Sequence, residues 1–321
     1  MPCSSSGPKF IVKLYYFQDP HNNFGDDLNP WLWPKLLPGL GDDRNDELLV
    51  GIGTLINHRL PSGPLKHIVG SGVGYGRLPT IDATYRFHAL RGYESAKALG
   101  QSSDVVVTDP AVLIRAMQLP PVDPSRARCG LVLTGRSLDN FDWEPVCQQA
   151  GIAFISCRWS VDKVLAEMRR CDVVLTEAMH GAIVADALRV PWVPVNCSQQ
   201  LLSFKWRDWL SSLRLPYEPS QITPLFDASR NFSLSGRVKN AVKLGMRRAG
   251  LWHSDWAPPR PHLAGPVIVE KAVAELHVAA QRKPFLSDEA LLKSHTQRYL
   301  DIVGNLQEVI RPSIQQVSET S

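Results

Sequence analysis

Six cysteines occur in 321 residues, and they form no C-x-x-C pair and no metal-ligand spacing. That excludes a zinc centre read from motif and a disulfide framework, and leaves most thiols as small buried groups. No apolar run approaches the ~20 residues that cross a bilayer. The N-terminal M-P-C-S-S-S-G-P-K also lacks the apolar core of a signal peptide, so the expectation is a cytosolic chain. Basic residues form no run interleaved with aromatics, and the net charge of +4 is mild, which argues against a nucleic-acid partner. Small anions, or an anionic membrane surface touched from the inner face, remain compatible with it. Walker A, H-E-x-x-H and G-x-S-x-G motifs are all missing. The run G-S-G-V-G-Y-G fails the dinucleotide fingerprint, because Tyr75 occupies the third glycine's place.

What is present is an α/β pattern. With 44% hydrophobic and 21% charged residues the composition is that of a globular protein. The length exceeds the ~100 to 200 residues of one domain, so two domains are expected. The stretch Asp172 to Cys197 reads as strand, turn, helix, strand: Val173 to Leu175 and Trp192 to Val195 are short β-branched runs, and Pro191 stops the helix between them. His180 and Gly181 fall where the first strand ends and the helix begins, the usual ligand position in open parallel sheets and a natural anion site. Glu177 sits beside them.

Ahead of that unit, strands are expected at Phe10 to Phe17, Leu48 to Ile56, Lys66 to Gly76, Tyr85 to Leu90 and Asp104 to Thr108, alternating with helices on both sheet faces. Asn29 and Pro30 read as N-cap and first residue of a helix through Leu37. The proline-rich 119 to 128 reads as a linker. Alternation restarts with a strand from Cys129 to Gly135, a helix near Trp143 to Ala150, a strand from Ala153 to Cys157 and a helix from Val161 to Arg170. Leu201 to Leu213 is amphipathic, with Trp206 and Trp209 on a broad apolar face that suits the core better than a membrane. A basic helix is expected from Val238 to Trp252, then two long helices near Val267 to Gln281 and Ser287 to Val309.

Several motifs, in order, resemble those of the polysaccharide pyruvyl transferases: N-F-G-D-D-L-N, G-I-G-T-L-I, G-S-G-V-G-Y-G, R-G-Y-E-S-A-K-A-L-G, T-D-P-A-V-L-I and E-A-M-H-G-A-I-V-A-D-A-L-R-V-P-W. The likeness is strongest to the branch that forms exopolysaccharide ketals, and it covers about residues 10 to 215. It implies two Rossmann-like domains facing across a cleft, as in GT-B glycosyltransferases: 1–120, 129–215, and a C-terminal extension, 216–321, packing back on them. The implied reaction transfers pyruvate from phosphoenolpyruvate to two hydroxyls of a sugar as a cyclic ketal, with no further cofactor. The implied acceptor is an oligosaccharide on a lipid carrier at the inner face of the cell membrane.

Residue types fit that chemistry. The donor's methylene carbon must be protonated before a hydroxyl attacks, and His180 is the expected acid, with Glu177 orienting its ring. Gly181 opens the helix whose amides hold an anion. Arg91 offers a planar fork for carboxylate or phosphate. Lys205 corresponds to a lysine that the family carries after the histidine helix. Gly72 and Gly74 in the glycine run complete the donor assignment, and Asp26 is the expected base for an acceptor hydroxyl. Many family members carry arginine two residues before the histidine, where this chain has Ala178, so Arg91, Arg136, Arg158 and Lys205 are the candidates for the donor's cation. Two other functions suit the same cleft: a GT-B nucleotide-sugar glycosyltransferase, and a non-catalytic carbohydrate-binding subunit of a polysaccharide assembly.

Overall fold

The structure is a computed structural model that describes residues 12–38, 40, 46–123, 125–198, 202–226, 242 and 264–310. Its first sheet grows in sequence order. β1 (Val12–Tyr15), β2 (Glu47–Val50), β3 (Leu65–Val69) and β4 (Tyr85–Ala89) lie side by side, all parallel. α1 (Phe24–Leu36) joins β1 to β2, and α2 (Tyr93–Ala98) follows β4. The connections 51–64 and 70–84 carry no helix. The expected alternation therefore fails in the middle of this half, where glycines and Pro61, Pro64 and Pro79 disfavour helix. The strand expected over 104–108 is also replaced, by a 3-10 turn at Ser103–Val105 whose Asp104 N–H is capped by Ser102 Oγ. A single bridge, Leu90 to Val106, is what remains of it.

α1 starts six residues earlier than its Asn-Pro pair predicts. Asn23 is the cap: its side chain accepts from the Gly25 N–H, and the Asp27 carboxylate accepts from the Asn23 N–H. Pro30 then falls inside the helix and cannot donate to the Asp26 carbonyl. Asn29 Nδ2 donates to that carbonyl instead, at 3.1 Å. The Asn29 amide also exchanges hydrogen bonds with both backbone groups of Ile52, so it pins α1 to the end of β2.

The second sheet has the order β6-β5-β7-β8-β9, again all parallel: β5 (Ala127–Val132), β6 (Ala153–Ile155), β7 (Cys171–Thr176), β8 (Trp192–Asn196) and β9 (Ser220–Gln221). α3 (Gly135–Asn140) and α4 (Glu144–Ala150) connect β5 to β6, α5 (Val161–Arg169) leads to β7, and α6 (Met179–Ala187) leads to β8. Gly135, expected in a strand, lies in the first turn of α3. β5 connects outward to β6 on one side, while β7 lies on the other, so the strand order reverses between β5 and β7. Crevices at such reversals are where parallel sheets bind ligands.

Two helices bind the halves together. α7 (Ser203–Leu213) packs on α2, with Trp206, Trp209, Leu210 and Leu213 buried, as a core reading of its apolar face requires. α8 (Pro266–Ala280) covers β7, β8 and α4, whereas α9 (Glu289–Ile310) returns to the first half. There Arg298 donates to Val106 O, Tyr299 to Thr108 O and Gln307 to Leu36 O. Among the described residues no helix is long and apolar enough to cross a membrane. The basic helix expected over 238–252 lies outside the described residues, apart from residue 242.

Candidate active site

β7 ends at Thr176, and the next residue still pairs with β5 through Glu177 N–H to Val132 O. Ala178 then takes an extended conformation and caps α6 without a side-chain bond. Leaving out the cap keeps the first-turn amides of α6 available to a ligand, with the positive end of the helix dipole behind them. Gly181 makes the tight start feasible. A Cβ there would come within 2.3 Å of Thr176 Oγ1, itself bonded to Ala178 O.

His180 projects from this first turn into the gap between the two sheets. A Cβ on Gly25, in the first turn of α1, would lie 2.1 Å from His180 Nδ1, so the glycine is what admits the ring. On the ring's other side Nε2 faces Asp109 Oδ2 at 3.6 Å. That is too long for a hydrogen bond, and both atoms are buried without a hydrogen-bond partner. Asp109 is fully buried and cannot turn away, because its other oxygen accepts from Ala111 N–H and caps the 3-10 segment Pro110–Ala116. Asp109 belongs to the T-D-P-A-V-L-I motif, but the sequence alone points to no role for it. The signal it offers is an acidic residue before a proline at the end of the first half's last extended run.

Asp26 stands next to the same gap. Burial pushes its carboxyl up to about 6, opposed by the charges of His180 and Lys205 and reinforced by those of Asp19 and Asp27. His180, Asp26 and Lys205 are thus electrostatic neighbours although they come from α6, α1 and α7. Lys205 Nζ donates to the Tyr75 hydroxyl at 3.2 Å, bridging the start of α7 and the glycine run.

Four other assignments change. Glu177 does not orient His180: its Oε2 accepts from Thr134 N–H and Oγ and from Ser137 Oγ, at 3.1, 2.8 and 2.6 Å. It ties the ends of β5 and β7 together across the strand reversal, while Oε1 is buried without a partner. Arg91 is not a free fork either. It is fully buried, and its guanidinium donates four hydrogen bonds, to Asp208, Gly53 O, Thr54 Oγ1 and Val73 O, with Nη2 also paired to Asp208 at 2.9 Å. Asp208 in turn accepts from the Ser95 N–H and hydroxyl. Gly72 serves this lock, since a Cβ there would lie 2.4 Å from the guanidinium. Gly74, at φ +151°, packs under Thr54, Leu202 and Phe204. Of the remaining cations, Arg158 pairs with Asp19 and Asp139, and Arg136 sits exposed in the first turn of α3. Among the described residues no group of three or more His, Cys, Asp or Glu is placed to hold a metal ion.

The family model for polysaccharide pyruvyl transferases matches residues 67–199, which span Arg91, Asp109, Glu177 and His180. The chain is also 37% identical over 216 residues to the succinoglycan biosynthesis protein ExoV of Rhizobium meliloti (strain 1021), covering 66% of this chain and 68% of that one. With a strand reversal, an uncapped helix start and a half-buried histidine at one place, the kinship is located as well as measured: this chain belongs to the polysaccharide pyruvyl transferase family and is a transferase.

Proposed function

We propose that the protein transfers pyruvate from phosphoenolpyruvate to two hydroxyls of one sugar as a cyclic ketal, during the synthesis of an exopolysaccharide. The acceptor in this reading is an oligosaccharide on a lipid carrier, met at the inner face of the membrane. The observation that carries it is His180, held between Gly25 and Asp109 at the uncapped start of α6. The two parallel sheets are read as Rossmann-like domains, 1–120 and 129–215, in a GT-B arrangement, with 216–321 as an extension. The crossings of α7 and α9 to the first sheet support that reading.

The donor's anionic groups meet the first-turn amides of α6 around Gly181, with Lys205 as the nearby cation. His180 gives its proton to the methylene carbon, turning the C=C bond into a methyl group and leaving C2 electron-deficient. One sugar hydroxyl adds to C2, and its proton passes to Asp26. The C2–O bond to phosphate then breaks and the second hydroxyl closes the ketal. Of the two hydroxyl protons, one replaces the proton His180 spent and the other leaves with phosphate. Asp109 holds the ring in the pose that reaches the donor. Ala178 places no cation at the helix start, so backbone amides carry more of the anion's charge here.

Thermal unfolding with each ligand tests the donor. A ligand bound only by the folded state raises stability by mass action. Phosphoenolpyruvate is expected to raise the melting temperature and UDP-glucose to leave it unchanged; the opposite pattern would favour a glycosyltransferase.

A further inference from the structure

Outside the His180 gap, the described residues line an open cavity of about 310 Å³ at the carboxyl ends of β8 and β9. Asn196, Ser198, Gln221, Thr223 and Glu275 line it, with Ile222 and Pro224 as the apolar part. Its volume is at the low end for small-ligand sites. The polar groups are held in place. Asn196 Oδ1 accepts from Ser198 N–H and its Nδ2 donates to Gln221 Oε1, while both oxygens of Glu275 accept from Thr223. Among the described residues no lysine or arginine lines it. A phosphate or carboxylate would meet the Glu275 carboxylate in that lining, and the nearby Lys271 Nζ is already paired with it at 3.9 Å, whereas side-chain amides, which both donate and accept, match sugar hydroxyls.

Its position relative to the reaction matters. β9 is two strands from β7, about 10 Å at normal strand spacing. The cavity therefore stands more than one sugar ring away from His180, on the same carboxyl edge. A second recess is lined by Ser137, Asn140, Phe141, Trp143, Ser198 and Leu225 among others. It shares Ser198 with the cavity, and its Ser137 bonds Glu177, three residues before His180.

We propose that this cavity is a subsite for a neutral, non-reacting sugar of the acceptor chain, so that the oligosaccharide runs along the carboxyl edge from β9 toward His180. The inference rests on the ketal pyruvyl transfer proposed above and adds where the far end of its acceptor binds. The subsite makes the enzyme a reader of chain length, because only an acceptor that reaches β9 gains these hydrogen bonds.

Depyruvylated succinoglycan fragments, graded by length, serve as probe. Saturation-transfer NMR on the wild-type protein and on Gln221→Ala and Asn196→Ala measures binding directly. Gln221 is exposed, so its truncation spares the fold even if Asn196→Ala does not. The longer fragments are expected to bind more tightly than the shortest, and Gln221→Ala to weaken the long ones about threefold to tenfold, as the loss of a hydrogen bond or two does. In turnover the same variant raises KM for long acceptors relative to short ones and leaves KM for phosphoenolpyruvate at its wild-type value. Equal affinity for all lengths, a Gln221→Ala protein that binds them as the wild type does, or no binding of any fragment overturns the subsite. Displacement of the fragments by UDP would assign the cavity to a nucleotide instead. Fragment binding without any pyruvate transfer would keep the subsite and sink the reaction, so the two failures are distinguishable.

Discussion

His180 Nε2 and Asp109 Oδ2 face each other at 3.6 Å, both buried, and neither has a hydrogen-bond partner. A buried carboxylate oxygen left in this state costs stability, so the fold carries it at the expense of its own free energy. Asp109→Asn should lower turnover by about 10²-fold, the lower end for a positioned proton-transfer system. It should also keep or raise the melting temperature. Phosphate release and thermal unfolding on one preparation check both halves, and full activity in the variant would remove Asp109 from the site.

Asp26 carries a pH dependence with a definite sign. Its folded value of about 6 lies above the ordinary 3.8, so the folded protein binds this proton more tightly than the unfolded chain does. The associated stability is present below the unfolded value and is lost as pH rises through about 6. Asp26→Asn should therefore stabilise the protein by about 3 kcal/mol at pH 8 and by little at pH 4. In the reaction, kcat/KM should fall below pH 6 as the base is protonated, and the variant should lack that limb.

The Arg91 and Asp208 pair predicts a folding defect rather than a binding defect. Removing one partner of a fully buried pair costs about 3 to 5 kcal/mol. Arg91→Ala should shift the urea midpoint accordingly, while Arg91→Met combined with Asp208→Leu should recover part of the loss. A stable Arg91→Ala protein with a raised KM for phosphoenolpyruvate would return the guanidinium to the donor site.

Two glycines give opposite expectations. Gly25→Ala must push the His180 ring aside, and should abolish most activity while costing about 1 to 3 kcal/mol. Gly304 lies inside α9 with open space where a Cβ would go. Gly304→Ala should stabilise by about 0.5 to 1 kcal/mol, and denaturant titration of the two variants separates the effects.

His180 was legible in the sequence because a strand, a turn and an apolar helix place it by local rules alone. The parallel sheets followed from the same periodicities. Arg91 was misread because a charged residue after a strand looks like a ligand group, and its partner Asp208 lies 117 residues away. Asp109 went unassigned for the same reason, since only tertiary packing brings the 3-10 segment against α6. Glu177 was assigned to the nearest histidine in sequence, but the start of α3 offers it three donors. The start of α1 was misplaced because Asn-Pro is a strong cap signal. Asn29 overrides it by replacing the hydrogen bond that Pro30 cannot make.

The central claim is that pyruvate moves through the His180 and Asp109 pair to a saccharide. Purified protein mixed with phosphoenolpyruvate and a lipid-linked oligosaccharide extract tests it, with phosphate release and acceptor mass read together. The wild type should release one phosphate for each acceptor that gains a pyruvate less water, His180→Ala should do neither, and Asp109→Asn should do both about 10²-fold more slowly. No mass gain with the wild type, or an undiminished gain with His180→Ala, would contradict the account.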